Sequence, residues 1–177
     1  MVTFQKVLVS ILITIILVMV IWIMACDKGG VKMKKVYENN VNTLEEFWKA
    51  FENEDLETLE NLLSENYTQF YYPALKPKGE KYSKEKWLEA KKDLFLIVEN
   101  ISLDHKIILP GIDSIKHDLD GTVRMYAGFS FYLRDSIKIM GKQKISFSLY
   151  GFYDFTGNKI SLSHEWFDYS FFDVKNF

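Results

Sequence analysis

Around Ile101 the apolar pattern of this chain changes period, and that switch limits the folds open to it. Before it, apolar residues recur at three- and four-residue steps. Val41, Leu44, Phe47, Trp48 and Phe51 form one stripe, with Glu45, Glu46, Lys49 and Glu52 on the other face. Asp55 is placed to cap a short second helix carrying Leu56, Leu59, Leu62 and Leu63. Tyr67 to Tyr82 reads as a tyrosine-rich loop broken by Pro73, Pro77 and Gly79. Ser83 caps a third helix with Trp87, Ala90, Lys91, Leu94, Phe95 and Val98 along one side. Beyond Ile101 come short strands. One ends near Lys116, Asp120-Gly121 divides it from Thr122–Arg134, and Lys144–Phe155 follows the connection around Gly141. Gly157-Asn158 turns into a last strand, Lys159–Phe172. Three helices followed by an antiparallel meander is an α+β order, with helices packed on one face of a sheet. A strongly curved sheet closed by helices would form a cone with a pocket.

Ahead of this domain, Val7 to Ala25 (VLVSILITIILVMVIWIMA) carries no charge, and the only cysteine, Cys26, follows at once. A spanning helix needs roughly 17–25 apolar residues, so residues 1–25 read as a signal peptide or a membrane anchor. Ile23-Met24-Ala25-Cys26 resembles a bacterial lipobox, whose cysteine is lipidated; Met24 departs from the usual small residue. On that reading the domain faces outside the cytoplasm. The alternative is an uncleaved single-span anchor, for which Lys28, Lys32, Lys34 and Lys35 mark the distal side as cytoplasmic. Residues 26–40 read as a polar linker and 41–177 as the domain. With a single cysteine there is no internal disulfide, so the core alone must hold the fold.

A formal net charge of −2 lacks the basic excess of a nucleic-acid binder. The aromatic share, 16%, exceeds what a domain of this size needs at its surface. Tyr67, Phe70, Tyr71, Tyr72, Trp87, Tyr126, Phe129, Phe131 and Tyr132 suit the lining of an apolar cavity with hydroxyl handles, or plain core packing. His105, His117 and His164 lack zinc-site spacing, and His117 to Gly121 lacks the later ligands of a calcium loop. Nothing in the sequence calls for a metal or a cofactor.

From Val41 to about Tyr169 the chain resembles the SnoaL-like group of the nuclear-transport-factor-2-like superfamily. The resemblance rests on Ala50-Phe51-Glu52-Asn53-Glu54-Asp55-Leu56-Glu57-Thr58-Leu59, a helix–turn–helix opening, and on Gly79-Glu80 before the Trp87 helix. Lys144-Ile145-Ser146-Phe147, Gly157-Asn158-Lys159-Ile160 and Glu165-Trp166-Phe167-Asp168 are similar to its last two strands. It implies a cone-shaped domain around a mostly apolar cavity, often as a homodimer. It does not imply one activity, since function lies in the site and not in the fold.

Along the last strand, alternation places Leu162, His164, Trp166 and Asp168 on one face and Ser163, Glu165, Phe167 and Tyr169 on the other. With the first set toward the cavity, Asp168 would be a general base, supported by His164 and by Tyr126 or Tyr132. Tyr71, Tyr72, Trp87, Tyr132 and Trp166 would then contact a ligand. The Lys144–Tyr153 strand adds no acid, histidine or cysteine to such a centre. The main reading is therefore a membrane-tethered domain that binds a small apolar or amphipathic ligand, or a protein partner, without defined catalysis. The alternative is an isomerase, dehydratase or cyclase built on Asp168. A module that uses its open sheet face for a partner is the third.

Overall fold

The computed structural model describes residues 2–73, 79–134 and 144–168, without the side chains of 2–12, 21–30 and Pro73. The first helix, α1 (Val2–Glu52), buries the predicted stripe: Leu44, Phe47, Trp48 and Phe51 are all core. It also runs through 26–40, the stretch expected to be a linker. No proline interrupts that stretch, and its distal turns already pack on the domain. Tyr37 lies against the core, and buried Asn40 donates from Nδ2 to the Gly121 carbonyl at 2.7 Å.

Helix α2 (Leu56–Leu62) starts where expected, with the Asp55 carboxylate accepting from the Thr58 amide at 3.0 Å. Two strands, β1 (Leu63–Pro73) and β2 (Glu80–Ser83), then occupy the predicted loop. Pro73 only ends β1, and before it Tyr67 and Gln69 are buried while Phe70 and Tyr72 are less so, a strand alternation. Gly79 enters β2 at φ +66°, where a Cβ would strike the Tyr72 ring. Ser83 caps α3 (Lys84–Ile97) as predicted.

The remaining strands are β3 (Val98–Ile112), β4 (Leu119–Leu133), β5 (Lys144–Thr156) and β6 (Lys159–Asp168). The β3–β4 turn is built on Asp113, whose carboxylate accepts from the Ile115 and Lys116 amides, so Asp120-Gly121 opens β4 instead of dividing the strands. The sheet order is β2-β1-β6-β5-β4-β3. All pairs are antiparallel except β1 with β6, which is parallel and joins the two ends of the domain. Register slips along β3 at Glu99/Ser102 and Asp104/Ile107, where Asn100 and His105 take positive φ. Such bulges bend a strand, and the curved sheet wraps α1 and α3. The core fills the concave side: Trp48, Phe51 and Trp87 from the helices meet Met125, Phe129, Phe147, Leu149 and Tyr153 from the sheet.

Candidate functional site

Between the helices and the concave face lies a cavity of about 280 Å³. Its wall is mostly aromatic and aliphatic: Trp48 and Phe51 from α1, Trp87, Ala90 and Leu94 from α3, Phe129 and Phe131 from β4, Ile145 and Phe147 from β5, and Phe167 from β6. Tyr71 and Tyr82 add hydroxyls, and three further polar side chains complete the lining: Gln69, Lys91 and Glu165.

Glu165 is the exceptional group, a carboxylate only 3% exposed. Its Oε2 accepts a 2.6 Å hydrogen bond from Gln69 Nε2, and Gln69 is itself buried. Its Oε1 has no hydrogen-bond partner among the described residues. Burial raises the Glu165 pKa, offset in part by Lys91, Gln69, Ser163 and Tyr153. The negative charge acts outward as well. Tyr67 and Tyr153, driven well above the usual phenol range mainly by burial, are raised further by Glu165. Tyr67 shares a 2.8 Å hydroxyl–hydroxyl bond with Ser163, so the layer beneath the cavity is a polar cluster within an apolar core. Gly151 stands opposite Glu165 in the sheet, and a Cβ there would collide with the Tyr153 ring. The missing side chain is what lets that ring lie beside the carboxylate.

Tyr153 is also without a hydrogen-bond partner among the described residues, as are the indole N–H groups of Trp48 and Trp87. A well-packed core rarely leaves so many donors unmet. An apolar chamber with a carboxylate and unmet donors around it can hold a small molecule, orient its oxygen and move a proton.

No family model matches the sequence, nor does any curated protein. Solved structures do match in fold. A protein from Shewanella denitrificans assigned as a SnoaL-like polyketide cyclase superposes with a TM-score of 0.58 at 13% identity, over 74% of this chain and 91% of its own. One from Bacillus subtilis assigned as an isomerase gives 0.59 at 17% identity, over 75% and 88%. An M. tuberculosis epoxide hydrolase of the LEH-like type gives 0.53 at 15% identity, over 74% and 84%. The chain has a SnoaL-like fold.

Within that SnoaL-like fold the predicted residues divide between two sides of the sheet. Tyr71 and Trp87 lie in the cavity wall. Asp168, His164, Tyr126, Tyr72, Tyr132 and Trp166 are absent from its wall. From Leu162 onward alternation along β6 holds, but the concave side takes Ser163, Glu165 and Phe167, the opposite set to the one read as facing the pocket. His164 stacks between Phe70 at 4.8 Å and Tyr72 at 5.9 Å, and the Tyr72 hydroxyl meets its Nδ1 at 3.1 Å. Trp166 continues the row, 4.7 Å from Tyr72 and 5.1 Å from Tyr150, and Tyr126 packs on Tyr150. Tyr72, Tyr150, His164 and Trp166 form, with Arg124 and Phe152, a shallow aromatic depression on the outer face. Burial lowers the His164 pKa, with Asp154 opposing. Asp168 is exposed at the end of β6.

Glu165, Gln69, Lys91 and Tyr153 are the site groups that the sequence reading passed over. Glu165 was visible as the one acid on the second face of the last strand, and Lys91 as the one charge within the apolar side of the third helix. Among the described residues no group of His, Cys, Asp and Glu is placed to hold a metal ion. No described helix is long and apolar enough to cross a membrane; of the apolar run, only the side chains of residues 13–20 are described.

Proposed function

We propose that this chain is a small-molecule enzyme of the isomerase, dehydratase or cyclase type, with Glu165 as the proton-transferring residue. The observation that carries the reading is a buried carboxylate at an apolar cavity, one oxygen held by Gln69 and the other without a hydrogen-bond partner among the described residues. The three solved structures, assigned as a cyclase, an isomerase and an epoxide hydrolase, support a fold suited to such chemistry. Gln69 fixes the carboxylate plane, and the free Oε1 takes a proton from a carbon beside a carbonyl. The neighbouring Lys91 or Trp87 N–H stabilises the enolate oxygen. A dry cavity of ~150 Å³ accepts one benzene ring, so this one suits a substrate of one or two rings.

The apolar run belongs to the same reading. Ile13, Ile15, Ile16, Leu17, Val18, Met19 and Val20 are all exposed on α1. Uncovered apolar surface of this kind favours a membrane tether, as a lipoprotein through Cys26 or as an uncleaved anchor; the Cys26 side chain lies outside the described residues.

The test uses 2-tetralone, a two-ring ketone with acidic α-hydrogens, in deuterated buffer with exchange followed by NMR. Exchange above the buffer rate is expected, falling about 100-fold or more in Glu165→Gln, the usual scale for a lost general base. Asp168→Asn and His164→Asn, both off the cavity wall, are expected to keep it. Unchanged exchange in Glu165→Gln, or a loss that follows Asp168 instead, would sink the assignment.

A further inference from the structure

We propose that Lys91 captures small apolar carbonyl compounds covalently, as an imine formed inside the cavity. The proposal deepens the reading above by naming the substrate class, and it rests on the same cavity. Lys91 lies on the face of α3 that carries Trp87, Ala90 and Leu94, so its side chain enters the chamber with them. Its Nζ sits over two ring faces, 5.3 Å from the centroid of Trp87 and 5.5 Å from that of Phe51. Among the described residues it has no hydrogen-bond or ion-pair partner. The buried lysine of this helix, Lys84, differs from half-buried Lys91: its Nζ donates to Glu65 at 3.1 Å and to the Leu63 carbonyl at 3.4 Å, a structural ammonium. A lysine set between aromatic walls, lining the same cavity as the Glu165 carboxyl group, is arranged to react and not to brace the fold.

Burial supports this by lowering the Lys91 pKa, with Glu165 opposing, which increases the share of free amine. The amine lone pair adds to the carbonyl carbon, and the proton displaced from nitrogen passes to oxygen to give a carbinolamine. Protonated Glu165 gives its proton to the departing hydroxyl, water leaves, and the C=N bond forms. The carboxylate then recovers a proton from the iminium nitrogen. The sum is carbonyl plus amine to imine plus water, with no oxidant or further reactant.

The experiment treats the full chain in detergent with limiting 2-naphthaldehyde and cyanoborohydride, which delivers hydride to the iminium carbon and fixes it as a secondary amine. Peptide mapping then compares Lys91 with Lys86 and Lys92, both exposed on the same helix. Labelling of Lys91 at least tenfold faster, suppressed by excess 2-tetralone and lost on denaturation, is expected. Labelling of Lys91 no faster than of Lys86 and Lys92 would overturn the proposal, as would selectivity that survives denaturation. The aldehyde has no α-hydrogen, so its trapping reports the amine alone. A failure here alongside Glu165-dependent tetralone exchange removes the imine and leaves the base.

Discussion

A carboxylate stripped of water favours its neutral form, and at Glu165 the opposing pull of Lys91, Gln69 and nearby hydroxyls offsets only part of that, so its pKa stays raised. The folded state therefore binds this proton more tightly than the unfolded chain, where a glutamate titrates near ~4.3. Stability from this group is whole below that value and is lost as pH rises through the raised folded pKa. Glutamine has no such titration. Glu165→Gln is thus expected to gain stability relative to the parent as pH climbs from about 4 upward, in urea titrations at a series of pH values. Parallel stability profiles for the two proteins would contradict it. A proton-transferring role, as proposed for Glu165, would account for that cost, because a site optimised for packing would have buried leucine there.

At the scale of the element, one residue in β6 decides which side chains see the cavity. The hairpin after Gly157-Asn158 starts in simple register, with Thr156 opposite Lys159 and Phe155 opposite Ile160. Then Asp154 pairs with Leu162, and Ser161 is left over as a bulge. Extended without that slip, the register would set His164 opposite Gly151 and Trp166 opposite Leu149, on the core side. With it, Glu165 faces Gly151 and Phe167 faces Leu149. Deleting Ser161 should therefore turn His164 and Trp166 inward, and we expect loss of cooperative unfolding by circular dichroism; a native-like melt would mean that the bulge is dispensable.

This bulge also explains what could be read ahead of the structure. The helical stripe at Leu44–Phe51, both caps and the strand periods were legible, because burial and capping leave a local mark. The face of β6 was not, since no glycine or proline marks Ser161. In β1 the prolines at and beyond its end masked an ordinary strand. The stripe itself gives a firm expectation: Trp48, 3% exposed among Phe47, Phe51, Phe129 and Tyr153, should cost about 3–5 kcal/mol as alanine in urea unfolding. A change within about 0.5 kcal/mol would place that helix face elsewhere.

Across the whole molecule, α1 links the apolar run to the domain without a break. The full chain expressed in bacterial cells is expected to sediment with membranes and to take up an alkyne fatty acid, with label lost in Cys26→Ser. Undiminished label in that variant would exclude Cys26 as the acceptor. Retained sedimentation without any label in the parent would select the uncleaved anchor.

The parallel β1–β6 pair has a consequence for how the chain is made. Gln69 and Glu165, the hydrogen-bonded polar pair of the cavity, are 96 residues apart and come from the first and last strands. During synthesis β1 emerges early with only the four-residue β2 to cover one edge, and waits for β6. The chamber does not exist until β6 has been made. A compound that fits it can rescue a finished chain against unfolding, yet it has nothing to grip on a nascent one.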